Sequence, residues 1–162
     1  MSLAFVALGA NLGDPMATLK LALQALDDLP QSRLTATSSF YRTAPVGLKN
    51  QPDFINAVAA LETGLDADAL LDALFAIEGE FGRQRSVPNA PRTLDLDLLL
   101  FEAQCCDSPR LTLPHPRMHQ RAFVLAPLAE IAPNLAIPGH GPVAALLAAC
   151  SEQRIEAMKG QQ

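Results

Sequence analysis

The chain has 162 residues, 49% of them hydrophobic and 18% charged, which is the length and balance of one globular domain and lies well away from the disordered range. Its net charge of −5 lacks the basic face that broad nucleic-acid binding needs. No apolar run approaches the roughly 18 residues of a membrane-spanning helix, and three cysteines, two of them adjacent as Cys105 and Cys106, suggest no disulfide framework.

The expectation is therefore a monomeric protein of a reducing cytoplasm, folded as a single domain over 1–162, with no nucleic-acid or membrane partner. Residues 3–8 form a short apolar run that reads as a first strand, not a signal peptide, because no positive leader precedes it. Residues 9–13 read as a turn. Asp14 and Pro15 then supply an N-cap and a first-position proline for a helix carrying Leu19, Leu23 and Leu26 at helical spacing. Alternation rich in Thr and Ser predicts one half-buried strand over 33–42, and a loop follows to Pro52. Another strand is expected over 54–61. Asp66 can cap a second helix whose apolar stripe is Leu70, Leu74, Ile77 and Phe81, ended by Gly82.

A polar loop covers 83–91 and an apolar strand 93–101. Short pieces follow, with helices expected near 121–131 and 143–150; the tail over 136–162 has no assigned role. The order of elements predicts an α+β fold of ferredoxin-like type, a mainly antiparallel sheet with helices packed on one face.

The sharpest local signal is Pro91-Arg92-Thr93-Leu94-Asp95-Leu96-Asp97-Leu98. Residues two apart on a strand share a face, so Asp95 and Asp97 stand together, about 6.5 to 7 Å apart at Cα, with the leucines behind. Two like charges side by side repel unless cations compensate, and a divalent ion or nearby arginines would do so. The bland alternative is a solvated acidic strand face. Arg83, Arg85 and Arg92 flank the strand's entry loop, and guanidinium forks suit phosphate oxygens. Carboxylates with arginines are the equipment for moving phosphoryl groups from ATP.

A second polar cluster spans 110–121, where His115, Arg110 and Arg121 can meet phosphate or sugar. A rival zinc site from Cys105, Cys106, His115 and His119 fits poorly, since structural zinc sites separate paired cysteines by two to four residues. The turn Gly9-Ala10-Asn11-Leu12-Gly13-Asp14 lacks the ending of a P-loop and the three glycines of a dinucleotide fingerprint. Phe54 and Asn56 share a strand face, an arrangement suited to stacking on a flat ring and bonding its edge, although a strand aromatic is more often core.

Taken together, Ser38-Ser39-Phe40-Tyr41-Arg42-Thr43-Ala44-Pro45-Val46-Gly47, Pro52-Asp53-Phe54-Ile55-Asn56, and the runs 78–85, 91–97 and 114–123 resemble the 6-hydroxymethyl-7,8-dihydropterin pyrophosphokinases of folate biosynthesis, over roughly 5–133. That resemblance implies pyrophosphoryl transfer from ATP, as co-substrate, to the hydroxymethyl group of the dihydropterin, giving AMP, with two Mg²⁺ ions at Asp95 and Asp97. It implies phosphate-engaging catalytic roles for Arg83 and Arg92. Nucleotide contacts would come from Glu78, Arg85, Arg92, Leu98, Arg110, Thr112, His115 and Arg121. The pterin would lie between Phe54 and Phe123, its edge met by Thr43, Ala44, Val46, Asn56 and Asp95. The chain departs from relatives in having no Trp in the loop before Pro91, where Asn89 and Ala90 stand in a loop that looks one residue shorter. Ala44 replaces a second proline, and Phe75 stands at a site that can be polar. The residues without the resemblance also admit a metal-dependent phosphohydrolase or a non-catalytic binding module.

Overall fold

The computed structural model describes residues 1–44, 52–81 and 94–158. Strand β1 (Ser2–Ala10) sits near the centre of an antiparallel sheet, paired on one side with β4 (Phe54–Thr63) and on the other with β5 (Asp95–Phe101). Gly9 therefore belongs to the strand, and the expected turn over 9–13 begins later, with Gly13 at φ +64°. That is a conformation glycine adopts without the Cβ clash other residues meet.

Helix α1 (Pro15–Asp27) follows, as expected: the Ala17 N–H donates to Asp14 Oδ1 at 3.2 Å and Pro15 opens the first turn, where its missing N–H costs nothing. The single strand expected over 33–42 is instead two, β2 (Ser32–Thr37) and β3 (Tyr41–Thr43). Both pair with β4, on successive stretches of its length. Between them the Ser38 N–H donates to the Val58 carbonyl, and Ser38 Oγ accepts from the Val58 N–H, each at 2.9 Å. A hydroxyl thus stands in for a backbone carbonyl where the chain leaves the ladder, so both backbone groups of Val58 keep a partner there.

Helix α2 (Ala67–Glu80) is capped by Asp66, whose Oδ1 accepts from Ala69 N–H at 2.8 Å. Its last turn closes at Phe81, and Gly82, the expected stop, lies outside the described residues. Beyond β5 come the short pair β6 (Cys106–Asp107) and β7 (Thr112–Leu113), helix α3 (Ala122–Ile131), the pair β8 (Ala136–Ile137) and β9 (Gly141–Pro142), and helix α4 (Val143–Ala148). The last strand, β10 (Glu156–Ala157), returns to the sheet beside β3, so the main sheet runs β10-β3-β4-β1-β5, with β2 also on β4.

The α+β architecture with its antiparallel sheet stands, but the helices cover both faces. Ala4, Val6 and Leu8 of β1, with Leu94, Leu96 and Leu98, pack against Leu19 and Leu26 of α1 and Leu70 and Leu74 of α2. Phe5, Val58, Ala60 and Leu100, on the opposite face, pack against Val124, Leu125 and Leu128 of α3, with Val143 of α4. Alternation divides these sets along β1 and β4, and on β5 a register shift opposite Phe5 and Val6 carries Leu100 to the other face from Leu98. A single-face reading failed because α3 and α4 follow the last long strand, and sequence order does not say on which side of a sheet a tail returns.

Among the described residues, no helix is long and apolar enough to cross a membrane.

Candidate active site

The α3 face of the sheet is not covered along its whole length. Where β1 ends it offers only Ala7 and Gly9, and the space above them is a cavity of about 690 Å³. That volume suits a small-molecule ligand. The register explains its lining: Gly9 lies between Asn56 on β4 and Asp95 on β5, and Ala7 lies beside Asp97. A Cβ on Gly9 would stand 3.1 Å from Asn56 Oδ1, so the glycine is what leaves the Asn56 amide its room. Asn56 Nδ2 donates to Thr43 Oγ1 at 3.0 Å, fixing the orientation of that amide.

Asp95 and Asp97 face the cavity from β5, one half-buried and the other exposed, while Leu94, Leu96 and Leu98 turn into the core behind them. Phe54 rises from β4 and Phe123 from the first turn of α3, and both line the same space. Arg121 precedes α3 and its guanidinium lies 5.4 Å from the centre of the Phe123 ring, a cation–π contact. One cavity thus brings together Thr43, Ala44, Phe54, Asn56, Asp95, Asp97, Arg121 and Phe123, all of them expected from sequence.

Other expected residues sit around the cavity without lining it. Glu78 is buried at the end of α2 and accepts from Leu96 N–H at 2.8 Å, closing a position on the outer edge of β5. Leu98 is buried on the α1 and α2 side. His115 is held against that same edge by its backbone N–H, which donates to the Leu99 carbonyl at 2.9 Å. Burial holds its imidazole below the ordinary value; Asp97 pulls the other way, and Arg121 and Arg117 lower it further. Arg110 is engaged by α2, through Asp68 Oδ1 at 3.3 Å and the Asp72 carboxylate, whose hydrogen bond raises the guanidinium above its already high value. Thr112 lies on β7. Val46, Arg83, Arg85 and Arg92 lie outside the described residues.

Two contributions had no sequence signal. Ala7 and Gly9 matter for what they lack, and a small residue in an apolar run looks like any other. The tail, left without a role, supplies Gln153, Arg154 and Ile155 to the cavity wall. Only the sheet topology, which returns β10 to β3, brings it there.

The carboxylate pair bears on cation binding. Among the described residues no group of three or more His, Cys, Asp or Glu side chains is placed to hold a metal. Asp95 and Asp97 alone offer acceptor oxygens on one wall of an open cavity. Such a set fits Mg²⁺, which keeps waters and takes one or two carboxylates plus substrate phosphates, and does not fit a closed protein cage.

Fold and site together define a class: an α+β domain with a carboxylate pair beside an aromatic-walled, amide-edged cavity. Comparison with known proteins narrows it. The family model for 7,8-dihydro-6-hydroxymethylpterin-pyrophosphokinase (HPPK) matches residues 5–133. A Pseudomonas aeruginosa protein named 2-amino-4-hydroxy-6-hydroxymethyldihydropteridine pyrophosphokinase is 51% identical over 96% of each chain. Proteins of the same name are 48% identical in Haemophilus influenzae, over 85% of this chain and 86% of that one, and 44% identical in Bacillus subtilis, over 80% and 78%. The chain belongs to the HPPK family of enzymes. Among solved structures, an HPPK-DHPS in complex with substrates superposes with a TM-score of 0.71 at 14% identity, covering 91% of this chain and 43% of that one. A Plasmodium falciparum HPPK-DHPS gives 0.74 at 15%, covering 91% and 45%. At such identity these two speak for the fold, and the chain spans less than half their length.

Proposed function

We propose that the chain transfers the pyrophosphoryl group of ATP to the hydroxymethyl group of 6-hydroxymethyl-7,8-dihydropterin, giving AMP and the pterin diphosphate, as a monomeric single-domain enzyme over 1–162 working in the cytoplasm. The observation that carries this reading is one cavity that has two aromatic rings and an oriented amide at one side and two adjacent carboxylates at the other. The family supports it independently.

Each part has a physical task. Phe54 and Phe123 offer faces to a planar heterocycle, and such stacking contributes about 0.5–1.5 kcal/mol beyond buried area. Asn56, held by Thr43, presents fixed donors and acceptors to the ring edge, which selects a pterin over a flat ring without matching groups. Ala44 and Val46 complete that edge by their backbone. Asp95 and Asp97 would hold two Mg²⁺ ions; when bound, these neutralise phosphate charge and set the nucleotide for in-line displacement. Asp95, nearer the Asn56 side through Gly9, also meets the pterin.

Arg121 shares the cavity with the carboxylates, its guanidinium against the Phe123 ring, and is assigned to nucleotide phosphate from the α3 side. Arg83 and Arg92 are assigned to the transferring phosphates, where guanidinium donors stabilise charge as it develops. Glu78, Arg85, Leu98, Arg110, Thr112 and His115 form the nucleotide's surroundings, and Arg110 must exchange its Asp68 and Asp72 partners for the nucleotide.

Incubation with ATP, Mg²⁺ and 6-hydroxymethyl-7,8-dihydropterin should give AMP and pterin diphosphate in equal amounts, and neither without the pterin. Release of phosphate that ignores the pterin would replace this reading with a phosphohydrolase. No nucleotide turnover under any of these conditions would leave a binding module.

A further inference from the structure

The family model ends at residue 133, yet the wall of the cavity is completed by residues 153–155. Helix α3 begins without a side-chain cap of its own, since Arg121, at the capping position, makes no such bond. The tail supplies it. Gln153 Oε1 accepts from the Ala122 N–H at 2.9 Å, and Gln153 Nε2 donates to the Gln120 carbonyl at 2.8 Å. One side chain thus satisfies a first-turn N–H of α3 and holds the turn that precedes it. Arg121, Phe123 and Val124 of this turn line the cavity, the first two on either side of Ala122.

The same segment is fastened at its other end to the opposite wall. Glu156 and Ala157 pair with Arg42 and Tyr41, and the Met158 N–H donates to the Phe40 carbonyl at 2.9 Å. Strand β3 continues into Thr43, the partner of Asn56. The segment therefore ties the side of the cavity that bears Phe123 to the side that bears Thr43.

We propose that Gln153 is a positioning residue for the pterin: by capping α3 and tying it to the tail, it fixes the Phe123 ring in the wall of the cavity that Phe54 also lines. The proposal rests on the pyrophosphokinase reading. Its effect falls on the heterocycle, because Phe123 and Thr43 flank that end of the cavity.

Steady-state kinetics with ATP, Mg²⁺ and 6-hydroxymethyl-7,8-dihydropterin test it in the full chain, with Tm measured alongside. Losing a cap and a backbone tie should raise the KM for the pterin about three- to ten-fold in Gln153→Ala, with a smaller change in the KM for ATP. Gln153→Glu keeps the acceptor for Ala122 N–H and should recover part of the loss. In a Phe123→Ala background the same Gln153→Ala change should alter the pterin KM by less than about two-fold, because the group it positions is gone. An unchanged pterin KM, an equal rise in both KM values, or a full effect persisting without Phe123 would overturn the proposal. If the unaltered protein forms no pterin-dependent AMP, the pyrophosphokinase reading itself fails and takes this role with it. If the unaltered protein does and Gln153→Ala behaves like it, only the inference fails.

Discussion

Gly9 is where a single atom decides the shape of the cavity. A Cβ there would meet Asn56 Oδ1 at 3.1 Å, tighter than ordinary contact, and the oxygen belongs to an amide already committed to Thr43. Gly9→Ala should displace that amide slightly, and Gly9→Val should fill the floor. The expected result is a pterin Kd raised about ten-fold or more in Gly9→Val, by analogy with the cost of a misplaced polar contact, with the fold retained. Titration of the pterin by fluorescence, with circular dichroism as control, checks it; unchanged affinity in Gly9→Val would mean the pterin does not rest on that floor. At this scale the sequence was legible where chemistry needs an unusual group. Asp95 and Asp97, and the pair Phe54 and Asn56, declared themselves by type and spacing, and Phe123 came only with the family resemblance, whereas Gly9 was read as part of a turn because its neighbours through Gly13 look like one.

Among the elements, the break between β2 and β3 depends on a partner far along the chain. The Glu130 carboxylate, near the end of α3, accepts from Ser39 N–H at 2.9 and 3.1 Å, from Ser39 Oγ at 2.9 Å and from the Tyr41 hydroxyl at 2.7 Å. Burial and that same carboxylate push the Tyr41 phenol above its ordinary range, so it stays a donor at every working pH. Glu130→Ala should cost about 1–2 kcal/mol, allowing for the exposure of the site, and Glu130→Gln less. Urea unfolding measures both, and equal stability of Glu130→Ala and the parent would remove this link as a support of β3. The helices were readable from the chain because their signals are local: Asp14 with Pro15, and Asp66, act within one turn. The split strand was not, since Ser38, Ser39 and Phe40 alternate well enough to continue a ladder, and what bends them is bonding to Val58 and Glu130.

For the molecule as a whole, stability on the acid side should reflect a histidine pair joining the turn before α3 to the β8–β9 turn after it. The His119 and His140 rings stack with centroids 3.7 Å apart and planes within 11°, and His119 Nδ1 is buried without a partner among the described residues. Burial, and then His140, lower the His119 value below the ordinary one near 6.5. A group held neutral by the fold binds more protons when unfolded, so stability is complete above about pH 6.5 and declines as the pH falls toward the depressed folded value. Tm should drop from pH 7.5 to 5.5, and His140→Ala should lessen the drop; an unchanged slope would assign the acid sensitivity elsewhere. The overall topology was only half legible. A sheet with helices followed from the order of elements, but the return of the tail across α3 to β3 is a long-range pairing with no local signature. The central claim is that the carboxylate pair on β5 is where phosphate is moved, and the direct measurement is pterin-dependent AMP formation by Asp97→Asn, an exposed side chain whose loss leaves the core untouched. The account predicts a fall in kcat of about 10²-fold or more with Tm within a few degrees of the parent, the scale expected for removing a preorganised charge from a transferring phosphoryl group. Full turnover in Asp97→Asn, at any Mg²⁺ concentration, would contradict it.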